Sequence, residues 1–211
     1  YLLWTTAGAG RLGPFVVPAA MAAVYGLARH RLGRSLEWHF LFAGTRPARP
    51  QSNEVNLGPR VRLGAGVDMV VLPVRDLYEP WPGRSETAFT AAAHEAEQGL
   101  ALSGPGPTLP EVVYRSLAAR PETPAGLDDT AEALGLSPSS LKRHLRDHDS
   151  RFQALYDEIR LHHSLYLHQV VGLNTEGIAE RLSHGDRANF RRSFRRWTGL
   201  SPAQHQRLLP D

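Results

Sequence analysis

Apolar residues in the second half of the chain recur at helical spacing, and one short pattern occurs twice. Ala131-Glu132-Ala133-Leu134 returns as Ala179-Glu180-Arg181-Leu182, and Leu141-Lys142-Arg143-His144-Leu145 returns as Phe190-Arg191-Arg192-Ser193-Phe194. In each copy the apolar positions i and i+4 share one helical face, and the basic residues between them point away from it. The pattern predicts a short helix over about 128–134, with Asp129 and Glu132 spaced as a capping box. Ser137 as N-cap and Pro138 at the first helical position open the next helix. A long helix over about 151–170, stopping near Gly172, joins the copies. Asn174 caps a helix to Leu182, Asp186 caps one to Trp197, and Gly199 closes it in the left-handed conformation. Ser201-Pro202 with Gln204 opens a last helix, and a helix over 110–119 begins this half.

The first half has a mixed pattern. Residues 19–31 and 86–102 read as helices, whereas 35–43, 60–63 and 69–74 read as strands. A further strand is expected over residues 1–6. Trp38, Phe40 and Phe42 alternate, so a strand puts all three on one face; packing in the core is expected ahead of lining a pocket. Segments holding Pro47, Pro50, Pro59, Pro80 and Pro82 read as loops. The stretch Ser103-Gly104-Pro105-Gly106-Pro107-Thr108-Leu109-Pro110 opposes regular structure and reads as a linker over 103–110. The predicted class is an α+β N-terminal portion, 1–102, followed by an all-α portion, 108–211. Within the latter, helix-turn-helix units are expected over about 127–147 and 174–197.

Composition narrows the chemistry. The chain has no cysteine, which removes disulfides, thiol catalysis and Cys-ligated metals. No run approaches the roughly 20 apolar residues of a membrane span, and a cytoplasmic location is expected. The start at Tyr1, not methionine, suggests that upstream sequence is missing. A net charge of +3 says little by itself, but its distribution says more: from Arg181 to Arg207 there are seven arginines against one acid, Asp186. Arg187, Arg191 and Arg195 form an i, i+4, i+8 row with Arg192 beside it, and like charges at that spacing repel by a few tenths of a kcal/mol, roughly, per pair. A bound polyanion relieves that repulsion. The joining helix of roughly 20 residues spans about 30 Å, close to the about 34 Å between successive major-groove segments on one side of B-DNA. One rod therefore suits two readers on neighbouring turns.

Ile178-Ala179-Glu180-Arg181-Leu182, followed by the run from Asp186 to Pro202, carries a resemblance, as does Leu134-Gly135-Leu136-Ser137-Pro138-Ser139-Ser140-Leu141-Lys142-Arg143. Through these motifs residues 108–211 resemble the DNA-binding domain of the AraC/XylS family of bacterial transcriptional regulators. The family's Phe-basic-Arg-Trp-Thr-Gly-x-Ser-Pro ending is matched by Phe194 to Pro202. Two departures stand out: Ser183-His184-Gly185 replaces the family's glycine-aromatic-serine turn, and His205-Gln206-Arg207 stands where Tyr-Arg is usual. By position the resemblance implies base or groove contacts from Ser139, Ser140, Lys142 and Arg143, and from Arg187, Ala188, Asn189, Arg191 and Arg192. Arg146, Arg195 and Arg196 are implied as phosphate contacts. Residues 19–100 resemble, through looser motifs, the later part of an arabinose-binding-type regulatory domain. That implies a small-molecule effector or a homodimer, with promoter DNA and RNA polymerase as partners.

Other features read differently. Gly8-Ala9-Gly10-Arg11-Leu12-Gly13 fits GxGxxG, but a dinucleotide site needs a helix starting there and an acid at a strand end about 20 residues on. Pro18 is expected to break such a helix, and Glu37 is misplaced, so a flexible loop is expected. His144 and His148 share an i, i+4 spacing and His162, His163 and His168 lie on the joining helix. No third metal ligand is suggested, and surface histidines are expected. No cofactor and no enzymatic activity are expected. The alternatives are a nicotinamide enzyme built on the glycine loop and a non-specific nucleoid-type DNA binder.

Overall fold

The computed structural model of the chain describes residues 2–3, 5, 7, 9–44, 55–102, 106–182 and 186–209. Strands β1 (Leu2–Leu3), β2 (His39–Phe42), β3 (Val61–Leu63) and β4 (Met69–Val71) form one sheet in the order β1-β4-β2-β3. β4 runs antiparallel to β1 and β2, and β3 lies parallel to β2 with Phe40 opposite Val61. Before β2 comes helix α1 (Gly13–Leu32), and after β4 come α2 (Val74–Tyr78) and α3 (Glu86–Leu102). The rest is helical: α4 (Leu109–Ala118), α5 (Leu127–Ala133), α6 (Pro138–Asp147), α7 (Phe152–Gln169), α8 (Thr175–Arg181), α9 (Arg187–Thr198) and α10 (Pro202–Gln206). An α+β portion is thus followed by an all-helical one.

Alternation in the sheet sends its two faces to different partners. Trp38, Phe40, Phe42 and Val70 pack with Val17, Met21, Tyr25 and Ala28, whose spacing of three and four makes one face of α1. These aromatics are core, as expected: Tyr25 meets Phe40 edge-on at 5.2 Å, and Trp38 Nε1 donates to Asp76 at 2.8 Å. Arg34 pairs with the same buried carboxylate at 2.7 Å. Burial alone raises the Asp76 carboxyl, but the Arg34 and Trp38 hydrogen bonds outweigh it and hold it below its ordinary value. Leu41, Ala65, Val67 and Met69 instead join the cluster of Leu161, Leu165, Ile178, Phe190 and Phe194 from α7, α8 and α9. The sheet is therefore a shared layer between α1 and the C-terminal helices.

That contact is close at one point. Gly66 has φ +71°, and a Cβ built there falls 2.3 Å from Thr198 Cα at the end of α9. Only glycine tolerates both the left-handed backbone and the approach.

Several expected boundaries shift. The strand expected over 35–43 is regular only from His39, and the one over 69–74 stops at Val71 because Pro73 precedes the helical turn from Val74. The helix expected to start at Ala19 begins at Gly13 and runs through Pro18. Pro18 lies near the N-terminus, where its missing N–H deprives only the Pro14 carbonyl of a partner. Asp129 is not a cap: Gly126 holds the N-cap position of α5, and Asp128 and Asp129 lie in the first turn, where they complement the helix dipole. The other caps form as read. Ser137 accepts from the Ser140 N–H at 3.2 Å, Asn174 from Gly177 at 2.9 Å, Asp186 from Asn189 at 2.7 Å and Ser201 from Gln204 at 3.2 Å. Gly199 closes α9 with φ 76°. A capping box between Thr108 and Glu111, not anticipated, starts α4. Residues 103–105 of the expected linker, the 183–185 turn, Gly8, Pro47 and Pro50 lie outside the described residues.

Candidate nucleic-acid interface

Each basic helix is held by its apolar side. In the first unit Leu141 and Leu145 of α6 are fully buried against Val113 and Leu117 of α4, Ala131 of α5, and Leu155 and Ile159 of α7. That packing leaves Lys142, Arg143 and Arg146 exposed on the outer face. Ser139 is exposed and Ser140 half-buried, and both hydroxyls meet Ser137 Oγ, at 3.2 and 2.9 Å, around the start of the helix.

The second unit repeats the arrangement with larger side chains. Phe190 and Phe194 of α9 are buried and Trp197 partly so, with ring centroids 5.8–6.5 Å apart. Arg187, Ala188, Arg191, Arg192, Arg195 and Arg196 are exposed, and Asn189 is half-buried. Arg192, Asn189 and Arg196 have protein partners. Arg192 donates to Asn189 Oδ1, and Asn189 Nδ2 donates to Asp186 at 3.1 Å, so the three form a chain along the start of α9. Arg196 reaches across to Asp157 on α7 at 3.0 Å; a phosphate at Arg196 has to compete with that carboxylate. Arg187, Arg191 and Arg195 keep the exposed i, i+4, i+8 row.

The helix between the units, α7, has 18 residues, a length of about 27 Å. It serves both cores: Leu155 and Ile159 belong to the first, and Leu161 and Leu165 to the second.

Residues 130–207 match the family model of a helix-turn-helix domain, a span from within α5 to the residue after α10 that takes in both α6 and α9. This part of the chain is a helix-turn-helix domain. The chain is 27% identical over 198 residues to the ornithine utilization regulator of Pseudomonas aeruginosa, covering 93% of this chain. It is 32% identical over 79 residues to an uncharacterised HTH-type transcriptional regulator of Mycobacterium tuberculosis, covering 37% of this chain. The chain spans 58% of the first relative's length and 23% of the second's. It also aligns with the crystal structure of ToxT from Vibrio cholerae at 10% identity and a TM-score of 0.47, covering 93% of this chain and 67% of that one.

Beside α6 lies a groove of about 750 Å³, where Lys142, Arg146 and Arg151 surround Phe152 and Tyr156. Among the described residues no side chain caps the start of α7 there, and a helix start of this kind suits a phosphate oxygen. Arg151, at this N-cap, was not singled out in the sequence. A cation next to a helix start has no periodic signature.

His144 and His148 lie at the surface as expected, but the histidines of the joining helix are partly covered. His162 lies against Tyr114, with its Nδ1 3.0 Å from the hydroxyl, and burial holds its pKa down to about 4. His205 is 2% exposed and packs edge-on against Phe194 at 5.6 Å, standing where the family has tyrosine. Burial, aided by the nearby His168, lowers its pKa to about 4. His168 Nδ1 meets the Leu173 carbonyl at 3.0 Å, and His163 stacks on Tyr166. Among the described residues no group of three His, Cys, Asp or Glu side chains is placed to hold a metal ion.

These buried imidazoles carry a pH dependence. A base whose pKa falls on folding binds fewer protons folded than unfolded between about 4 and its ordinary value of about 6.5. Its stabilising effect is complete above about 6.5 and is lost as pH falls toward 4. Thermal unfolding at pH 7 and pH 4.5 is expected to show a loss on the order of 2 kcal/mol per histidine. In His205→Leu about half of that loss disappears; an unaltered pH slope in this variant contradicts the assignment.

The glycine-rich segment fails as a dinucleotide site, although a 3-10 turn over Gly10–Leu12 does lead straight into α1. A βαβ unit needs neighbouring parallel strands. Here β1 is a two-residue edge strand, and antiparallel β4 lies between it and β2.

Proposed function

We propose that the chain is a transcriptional regulator that binds promoter DNA in a sequence-specific manner, with α6 and α9 reading adjacent major-groove segments on one side of the duplex. The observation that carries this reading is the pairing of two helix-turn-helix units, each with an exposed basic face, on the single helix α7. Base readout falls to Lys142 and Arg143 in the first unit and to Arg187, Asn189, Arg191 and Arg192 in the second, with Ser139, Ser140 and Ala188 at the groove surface. Arg146, Arg195 and Arg196 take phosphates, which add affinity and salt dependence without sequence information. No covalent chemistry is part of this function.

Residues 108–211 act as the DNA-binding domain, and 1–102 as a regulatory portion that biases it in response to a small molecule, to a second copy of the chain, or to both. The alignment with the ornithine utilization regulator supports this division, because it extends through the N-terminal portion. RNA polymerase is the expected partner at the promoter, in the cytoplasm, whether the outcome is activation or repression.

Selection of bound sites from a random DNA pool tests the reading. A recovered consensus with two separated blocks supports it; recovery of random sequence indicates the non-specific nucleoid-type alternative, whose specificity ratio is missing. On the recovered site Arg192→Ala is expected to cost about 1–3 kcal/mol of binding and to relax one base position. A uniform loss across all sequences instead puts Arg192 on phosphate.

A further inference from the structure

The two units are joined by more than the helix between them. Glu122 lies in the turn between α4 and α5, on the first unit, and groups from α7 and α8 converge on it. Arg181, the last residue of α8, donates through Nε to Glu122 Oε1 at 2.8 Å, and His163 Nε2 lies 3.9 Å from the same oxygen. Arg160 Nη1 donates to the Glu122 carbonyl at 3.4 Å, while its Nη2 donates to the carbonyl of Leu182, the C-cap residue of α8. One guanidinium thus holds a backbone carbonyl of each unit.

Its place on α7 is the seam between the cores. Ile159 packs in the first cluster and Leu161 in the second, and Arg160 stands between them, 7% exposed, with its guanidinium 5.9 Å from the Tyr156 ring centroid. Burying a cation carries a desolvation penalty that an apolar side chain of similar volume avoids. Packing alone therefore does not call for a cation there. A planar fork that reaches two acceptors in fixed directions does account for it. The Glu122–Arg181 pair is about half exposed, and such surface pairs add little stability. Its effect is geometric, a second strut beside the rod.

We propose that Arg160 is a positioning residue which, with the Glu122–Arg181 pair, fixes the relative orientation of the two helix-turn-helix units and hence of α6 and α9. The consequence for DNA rests on the proposed function, but the orientation itself does not.

Because the chain has no cysteine, two can be introduced cleanly. Glu132→Cys and Glu180→Cys are exposed and equivalent in the repeat, and nitroxides there report the separation of the units by double electron–electron resonance without DNA. In the parent the distance distribution is expected to be narrow. In Arg160→Leu it broadens at least twofold, and in Arg160→Lys, which keeps the charge but not the fork, it broadens less. Helical circular dichroism establishes that each variant is folded. An unchanged distribution in folded Arg160→Leu overturns the proposal. If that variant does not fold, Glu122→Ala combined with Arg181→Ala replaces it, with the same expected broadening and the same overturning result.

Binding supplies the second arm. On DNA carrying both recovered blocks Arg160→Lys is expected to lose about tenfold in affinity, and on DNA with either block alone less than twofold. Equal losses on both mean that Arg160 acts on one unit alone, which overturns the positioning role. Absence of DNA binding by the parent rejects the proposed function and leaves the distance measurement to decide this one.

Discussion

Replacing Phe194 by alanine is expected to lower the unfolding free energy by about 3–5 kcal/mol. Phe194 is 3% exposed and packs with Phe190, Trp197 and His205. Its cluster also contains Leu41 and Met69 from the sheet, so the cavity opens where the second unit meets the N-terminal portion. Rigid neighbours on both sides limit collapse into the space, which places the cost toward the upper end. Urea unfolding followed by circular dichroism measures it, and an unchanged midpoint contradicts the packing described for α9. The exposed arginines of α9 lose their support along with the core, so DNA affinity is expected to fall in parallel.

Gly66→Ala is the second change with a large expected effect. The new Cβ meets Thr198 Cα at 2.3 Å and the Thr198 carbonyl oxygen at 2.4 Å, and φ is +71°. Both obstacles are backbone, so no flexible side-chain end can swing aside. Left-handed strain of about 1–2 kcal/mol adds to overpacking of about 1–3 kcal/mol. The loop is expected to draw back from α9, lowering the melting temperature by several degrees and altering Trp197 fluorescence. A variant that melts like the parent with the same emission spectrum contradicts the contact.

What was legible in the sequence follows from how local the cause is. Ser137, Asn174, Asp186 and Ser201 cap helices through hydrogen bonds spanning two or three residues, so their roles could be read from spacing. The buried faces of α6 and α9 were equally legible, because an i, i+4 apolar pair with basic residues between leaves one way to face a core. Asp129 misled because Gly126, three residues earlier, takes the cap without a side-chain signal. The surroundings of Arg160 depend on groups 38 and 22 residues away, and within a periodic helix a single arginine reads as solvent-facing. Nothing in the local sequence marks Gly66, since its constraint comes from Thr198, far along the chain. His205 was placed by the resemblance, but its burial against Phe194 was visible only once α10 folded back on α9. In the candidate interface the row of arginines was legible and its internal pairing was not: Arg196 with Asp157 and Arg192 with Asn189 both depend on side-chain placement.

Hydroxyl-radical footprinting on a recovered DNA site shows whether one helix holds two cationic readers against the same side of a duplex. Two protected segments on one face, about one helical turn or 34 Å apart, are the predicted result. Protection of a single segment, or of none, contradicts it.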